Sequence, residues 1–237
     1  MKTVLIMPVL GALLLAAACG DDGPTDVSTT ARVRYFNATM GMTGSGAFTT
    51  NGQFVAGSAL AFGQSTPTCA PADPGATSFG FGTANAGGTA LTGNALVTLN
   101  NQTVAANGNY TFVATGSAAS PQLYLLDNSF AGSMSSNQAA VRFLNLAPGP
   151  NTIPNIFGVF AGGLPPAGTI IQLNMLVGAP TEFKTVTSGP NAFTYLIGHQ
   201  LETLTDVTVN LQAGTVNTLA IVPKTSGGYE LINIPRC

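Results

Sequence analysis

The chain has 237 residues, a formal net charge of −2, and 7% charged against 45% hydrophobic residues. Disordered chains combine high charge with low hydrophobicity, and soluble proteins carry about 25% charged residues, so this composition excludes a disordered body and indicates a polar, uncharged surface. The few Lys and Arg residues are scattered along the chain, which argues against nucleic acid as a partner.

The N-terminus has the features of a secretion signal. Lys2 precedes an apolar segment from Val4 to Leu15, and small residues then lead to Cys19. The segment is too short to remain as a membrane-spanning helix. We therefore predict a signal peptide over residues 1–18.

The small residues Ala16-Ala17-Ala18 before Cys19 resemble the lipobox of bacterial lipoproteins. In that family the signal is cut before the cysteine, whose sulfur then carries a diacylglycerol and whose amine is acylated. Several acyl chains anchor a protein stably, because each buried methylene contributes about 0.8 kcal/mol. The resemblance implies lipidation of Cys19, a flexible tether over residues 19–30 and membrane lipid as a partner. Ordinary secretory cleavage after Ala18 is the alternative.

The residue after Cys19 is Gly20 rather than Asp. In diderm bacteria an Asp at this place tends to retain lipoproteins in the inner membrane, so the resemblance implies an anchor in the outer membrane. The folded body would then lie in the cell envelope, on its periplasmic or its surface face.

A motif near the start of the mature chain returns later. The segment Val33-Arg34-Tyr35-Phe36-Asn37 recurs as Val141-Arg142-Phe143-Leu144-Asn145. A motif that recurs after about one domain length indicates two copies of one unit. We predict a first domain over residues 31–130, a short polar linker, and a second domain over residues 139–237.

Alternating side chains and β-branched or aromatic content predict strands in the first copy, beginning with Arg32 to Asn37. The dipeptides Asn51-Gly52 and Asn107-Gly108 predict hairpin turns. Residues 65–76 contain three prolines and predict a loop. The clearest strands come last, at residues 95–99, 110–115 and 122–126.

The second copy shows the same pattern. Its predicted strands span residues 141–144, 156–160, 170–177, 181–186, 192–197, 206–210, 218–222 and 229–234. No segment after the signal keeps a helical period, so we expect almost no helix. Short strands separated by Gly and Asn turns predict an all-β fold of two tandem antiparallel sandwiches.

Several segments are similar to one bacterial surface module, the domain of unknown function 4397, which is often found in tandem on lipoproteins. The similar segments are the opening Val33 to Asn37, Leu60 to Ser65, Asn107 to Gly116 and the closing Leu123 to Asp127. The resemblance covers nearly all of residues 31–235 and implies immunoglobulin-like sandwiches. It implies no activity, because none is established for the family.

Residues suited to catalysis or metal binding are sparse. His199 is the only histidine, and its Gly198-His199-Gln200 context is typical of a turn. The carboxylates are too scattered to suggest an acid–base pair or a metal site. We expect no enzyme activity, no metal and no cofactor. A hydrolase that uses His199 is the least favoured alternative.

Two cysteines remain once Cys19 is set aside for lipidation. They are Cys69, in the proline-rich segment of the first copy, and Cys237, the last residue. Thiols outside the cytoplasm tend to pair. We expect a disulfide that ties the two copies together, and two free thiols are the alternative.

The repeated Arg34 and Arg142 are interpreted as structural, with stems along a strand and head groups bonded to backbone carbonyls or an acid. Asn37 and Asn145 are expected to bond local backbone at a strand end. The functional hypothesis is a non-catalytic, membrane-anchored cell-envelope module for structure or interaction.

Its partners would be an envelope protein or a glycan. Phe36, Tyr124 and Tyr195 are the candidate ligand contacts, as aromatics exposed on a sheet face. A carbohydrate-binding surface protein is the alternative, although the chain has no Trp to serve as a sugar platform.

Overall fold

The computed structural model describes residues 29–147, 156–161, 169–197, 202–203 and 207–237. These ranges contain strands and no helix, and thus no helix long and apolar enough to cross a membrane. The predicted all-β fold is confirmed. The predicted signal peptide and Cys19 lie outside the described residues.

The described part of the first half forms two sheets. Its strands are β1 (Ala31–Met40), β2 (Gly46–Thr50), β3 (Gln53–Phe54), β4 (Gln64–Ser65), β5 (Ala70–Ala72), β6 (Gly75–Thr83), β7 (Val97–Val104), β8 (Asn109–Ser117) and β9 (Ser120–Asp127). The first inner sheet has the order β4-β1-β8-β9, with β5 also paired to β1. The first outer sheet has the order β3-β2-β6-β7.

The second half repeats this plan. Its described strands are β10 (Gln138–Asn145), β11 (Ile156–Ala161), β12 (Thr169–Met175), β13 (Lys184–Thr187), β14 (Gly189–Ile197), β15 (Glu202–Thr203), β16 (Val207–Leu211), β17 (Val216–Pro223) and β18 (Tyr229–Pro235). The second inner sheet has the order β13-β10-β17-β18. The second outer sheet has the order β12-β11-β14, and both β15 and β16 pair with β14.

Each inner sheet contains one parallel strand pair. β1 runs parallel to β8, with Arg34 opposite Thr111, and β10 runs parallel to β17, with Arg142 opposite Thr218. The other pairs between these strands are antiparallel, as predicted. Alternation along a strand does not indicate its neighbours, so the parallel pairs could not be predicted from it. Parallel neighbours are typical of sheets covered on both faces.

Three apolar clusters alternate with the sheets. The cluster between the first outer and first inner sheets is aromatic, with Tyr35, Phe48, Phe79, Phe81 and Phe112 among its members. The second outer and inner sheets enclose a cluster that includes Phe143 and Phe193. A third cluster joins residues of both inner sheets. The four sheets are therefore stacked in layers, with the two inner sheets against each other.

The third cluster forms the central interface between the halves. It explains why β1, β8, β10 and β17 are buried on both faces. Its buried members are Phe36, Ala38, Val113, Leu126, Leu144, Leu146, Ala220, Val222 and Ile234. Burying a large apolar side chain contributes about 1.5–3 kcal/mol. The contact between the halves is thus an apolar core in its own right.

The prediction that Phe36 is exposed is wrong, because its side chain is 0% exposed. Val33 and Tyr35 point into the first sandwich, so alternation directs Phe36 to the opposite face of β1. That face would meet solvent in a single sandwich, but here the second inner sheet covers it.

Two turn predictions had different outcomes. The Asn51-Gly52 hairpin is confirmed, since Thr50 lies opposite Gln53 and both turn residues have positive φ, 50° and 76°. The prediction of a hairpin at Asn107-Gly108 is wrong. A turn forms there, with Gly108 donating to the Ala105 carbonyl, but it leads from β7 in the outer sheet to β8 in the inner sheet.

The predicted loop at residues 65–76 contains a short strand, β5. Proline disfavours a strand because it lacks an amide donor, yet it is tolerated at a sheet edge. Pro71 occupies such an edge in β5. The loop prediction is therefore wrong at residues 70–72, and also at residues 65 and 75–76, which belong to β4 and β6.

Candidate functional site

The asparagines of the repeated motif hold the strand ends in the same way in both halves. Asn37 Nδ2 donates to the Leu60 carbonyl (2.9 Å), and its Oδ1 accepts from the Thr39 amide (2.9 Å). Asn145 makes the matching bonds to Met175 (3.1 Å) and Ala147 (2.9 Å). Their predicted role in local backbone bonding is confirmed.

Two threonines fasten a loop beside each motif. The Thr66 amide donates to the Tyr35 carbonyl, and the Tyr35 amide donates back to Thr66 Oγ1. Thr181 exchanges the same pair of bonds with Phe143. The loop that begins at each threonine is therefore fixed next to the arginine of the motif, at the margin of the central interface.

Arg142 is 4% exposed and is bound from three sides. Its Nε donates to Thr218 Oγ1 (3.0 Å), Nη1 to the Asp127 carbonyl (2.7 Å) and Nη2 to Asn128 Oδ1 (2.5 Å). Its guanidinium carbon lies 4.6 Å from the centre of the Phe183 ring. These partners come from both halves, so Arg142 links the end of β9 to the second half.

Burial lowers the pKa of Arg142 to about 10, although the nearby carboxylates Asp127 and Glu182 act in the opposite direction. The guanidinium therefore remains charged at neutral pH. Phe183 also meets Phe130, with ring centres 5.8 Å apart. A cation and two aromatic rings thus close this margin of the interface.

Arg34 occupies the equivalent position of the first half with fewer partners. Its Nη1 donates to the carbonyl oxygens of Thr66 and Pro67. Its Nε is one of two buried side-chain atoms without a hydrogen-bond partner among the described residues. Burial lowers the pKa of Arg34. The expected pairing of both arginine head groups with backbone carbonyls is confirmed.

Cys69 and Cys237 form a disulfide, with Cα atoms 5.8 Å apart and a sequence separation of 168 residues. The predicted pairing is therefore present. The bond joins the loop fastened by Thr66 to the residue that ends the second half. Cys69 follows two residues after Pro67, whose carbonyl accepts from Arg34 Nη1. At the other margin the Phe183 ring lies on Arg142 and meets Phe130.

Tyr124 is half-buried and packs on the central interface. Its ring lies against Gly178, which has a φ of +77°, and its hydroxyl donates to Gln122 Oε1 (2.9 Å). Burial raises the pKa of Tyr124. The residue lines a groove of about 450 Å³ at the free edge of β9, so it is accessible there as well as structural.

The backbone of Tyr195 lies in β14, opposite Val159 of β11. Its side chain lies outside the described part of the structure, as do His199 and Cys19. Of the three candidate aromatics, the structure describes the side chains of Phe36 and Tyr124, and both pack in the central interface. Phe36 is in the central interface and Tyr124 is at its margin.

Among the described residues, no three His, Cys, Asp or Glu side chains come together as metal ligands would. Two further concave surfaces among the described residues are grooves in the first half, lined mainly by uncharged side chains. One, of about 590 Å³, lies between the β2–β3 hairpin and β5. The other, of about 430 Å³, lies across the first outer sheet. Phe54 lines both grooves.

Sequence reasoning missed Phe54, Phe183 and the two loop threonines. The available signal was positional. Phe54 directly follows a predicted hairpin turn, and each threonine lies next to a proline, as Thr66-Pro67 and Pro180-Thr181. Such signals show that a residue lies at a turn but not which surface its side chain reaches.

The comparison with known families identifies a match to the first half. The family described as domain of unknown function (DUF4397) matches residues 31–154, slightly more than half of the chain. The matched range covers the first half and continues through β10. No curated protein sequence matches the chain.

Proposed function

The chain belongs to the family described as domain of unknown function (DUF4397), and on that premise we propose that it is a non-catalytic, lipid-anchored structural or interaction module of the bacterial cell envelope. The second half is a second copy of the same domain. Cys19 carries the anchor, and residues 19–30 are the tether between the membrane and the four-sheet body.

The observation that carries this proposal is the central interface with its disulfide. Arg142 bonds Asp127 and Asn128 across the interface, whereas Arg34 fastens the Thr66 loop within its own half, where the disulfide joins the two halves. A disulfide is typical of proteins outside the cytoplasm. A body with this cross-link suits an exported module that presents fixed surfaces.

The equivalent bonds of Asn37 and Asn145, and of Thr66 and Thr181, support the duplication. The second half keeps the strand order of the first in its inner sheet. Such detailed agreement is expected when one domain is duplicated and is not required by the sandwich architecture alone.

The test is metabolic labelling of the full chain with a fatty acid, followed by membrane fractionation. The wild-type chain should take up label and sediment with the outer membrane. Cys19→Ala should take up none and appear in the soluble fraction, while Cys69→Ser should still be labelled. An unlabelled wild-type chain would refute the lipid anchor.

A further inference from the structure

The two grooves of the first half, which are lined mainly by uncharged side chains, share one aromatic side chain. Phe54 lies on β3, opposite Thr49 of β2, and is half-buried. On one side is the groove of about 590 Å³, and on the other is the groove of about 430 Å³. Their volumes fall in the range of about 300–1,000 Å³ that is usual for small-ligand sites.

The lining of the grooves is dense in hydroxyl and amide groups. The first groove is lined by Thr50, Asn51, Gln53, Thr66 and Thr68, and the second by Thr49, Ser78, Asn94 and Thr98. Asp73 is the one charged side chain in either lining, and neither contains Lys or Arg. Thr49 and Thr66 are buried, and the hydroxyls of Thr50 and Thr66 bond Tyr35. The exposed lining offers neutral donors and acceptors from Gln53, Thr68, Asn94 and Thr98, together with a single carboxylate.

We propose that these grooves bind a neutral carbohydrate, with one sugar ring on Phe54 and its neighbours in the grooves on either side. A sugar has hydroxyl groups around its rim and an apolar C–H face. The rim matches the threonine, serine and amide side chains, and Asp73 accepts hydrogen bonds from hydroxyls. The C–H face packs on the Phe54 ring, which supplies the apolar area that fixes orientation.

The charge of the lining argues against an anionic ligand. A phosphate or uronic acid group would need Arg or Lys partners, and Asp73 would repel it. The charged side chain that does line these grooves is an acceptor for neutral hydroxyls.

The backbone argues against a peptide that adds a strand, because such a peptide needs a long free sheet edge. β3 has two residues, and β5 has three with Pro71 in the middle. Short edge strands and edge prolines reduce strand addition. The edges beside the first groove thus offer few backbone groups for pairing.

This inference deepens the proposed function by giving the envelope module a ligand class and a site, and it rests on that proposal. The two can fail separately. The anchor is judged by labelling at Cys19, whereas carbohydrate binding is judged on purified protein whether or not the label is present.

The experiment uses the full chain purified in detergent and titrated calorimetrically with neutral gluco-, manno-, galacto- and xylo-oligosaccharides. Uronic-acid oligosaccharides of the same length and a set of extended peptides are titrated in parallel. We expect binding of at least one neutral oligosaccharide. Phe54→Ala should weaken it about tenfold, since losing one ring contact removes about 1.4 kcal/mol.

Leu96→Ala is the matched control, because Leu96 is 52% exposed but lines neither groove. Its affinity should equal that of the wild type. Thr98→Arg is a second variant, which places a large side chain in the second groove from an exposed position. It tests the site independently if Phe54→Ala does not fold. It should also weaken binding at an unchanged melting temperature.

Three results would overturn the proposal: no neutral oligosaccharide bound at millimolar concentration, preference for the uronic acids or peptides, or equal affinity in the Phe54 and Leu96 variants. A labelled, membrane-bound chain that binds no sugar would refute the carbohydrate site alone. A sugar-binding chain without the lipid would refute the anchor alone.

Discussion

The two margins of the central interface are equivalent in position and different in chemistry. At one margin, Arg142 bonds Asp127 and Asn128, and aromatic rings close the contact. At the other, Arg34 bonds only two backbone carbonyls of its own half, and a disulfide joins the halves. The strand order around the two margins is the same.

The difference shows how a duplicated domain can divide one structural task. The second-half arginine donates one hydrogen bond from each of its three nitrogens and lies near the carboxylates of Asp127 and Glu182. The first-half arginine has a buried Nε without a partner, which costs free energy. The covalent bond is located where the hydrogen bonds are poorest, so each margin is closed by a different interaction.

The largest expected loss of unfolding free energy comes from removing the disulfide at the Arg34 margin. Opening the Cys69–Cys237 bond releases a segment of 168 residues, which is worth up to about 5 kcal/mol in the chain-entropy account. Cys69→Ser, Cys237→Ser and the double variant should lose the same free energy of unfolding in urea, as should the reduced wild type. If the double variant were as stable as the wild type, the disulfide would not stabilise the contact between the halves.

A smaller loss is expected when Arg142 is replaced by Met, which keeps an apolar stem. The variant leaves Thr218, Asp127 and Asn128 groups unpaired in a buried site, so it should lose about 3 kcal/mol in urea unfolding. Arg34→Met is the matched variant and should lose about 1 kcal/mol. Equal losses of unfolding free energy in the two variants would mean that the two arginines contribute equally to stability.

Alkaline pH should destabilise the first half through the buried phenol of Tyr35. Burial raises the pKa of Tyr35 to about 12 from 10, with a weaker opposite effect from its 2.6 Å hydrogen bond to Thr50. The neutral form is favoured in the folded state, so this stability is present below pH 10 and is lost as pH rises to 12. The loss is up to about 3 kcal/mol.

The second half has Phe143 at the equivalent position. Tyr35→Phe copies it and should remove this part of the decline in unfolding free energy above pH 10. At pH 7 the variant should lose about 1 kcal/mol for the hydrogen bond with Thr50. An unchanged alkaline slope would show that Tyr35 is not the group responsible.

The smallest expected difference is between two equivalent glycines, Gly63 and Gly178, both with a φ of +77°. Alanine at either position is strained by about 1–2 kcal/mol. A methyl at Gly178 would also overlap the Tyr124 ring, whereas one at Gly63 would lie 3.2 Å from the terminal methyl of Ile232. Thermal unfolding should therefore show a lower melting temperature for Gly178→Ala than for Gly63→Ala, and the reverse order would contradict the packing described.

The sequence predicted the class of the fold and the local chemistry because both depend on short-range patterns. Alternation identified β1, and the Asn51-Gly52 dipeptide identified the hairpin that joins β2 to β3. The outcome at Asn107-Gly108 differed, because a turn signal does not specify which sheet the next strand joins. The pairing of Cys69 with Cys237 was expected from their number and compartment rather than from geometry.

The candidate contacts were harder to predict, because exposure depends on what the second half covers. Phe36 follows an alternation that would expose it in one isolated sandwich, and only the packing of the two inner sheets buries it. Phe54 becomes a shared groove wall because the chain folds β3 back beside β2. Neither relation is encoded within a short window of sequence.

The claim on which this account depends is that the inner sheets hold the two halves together through an apolar core. The most direct test inserts a protease site between Ser133 and Met134, in the exposed link between β9 and β10. After cleavage and reduction of the disulfide, the two fragments should elute from a sizing column as one complex without denaturant. Separate elution of two folded fragments would contradict the account.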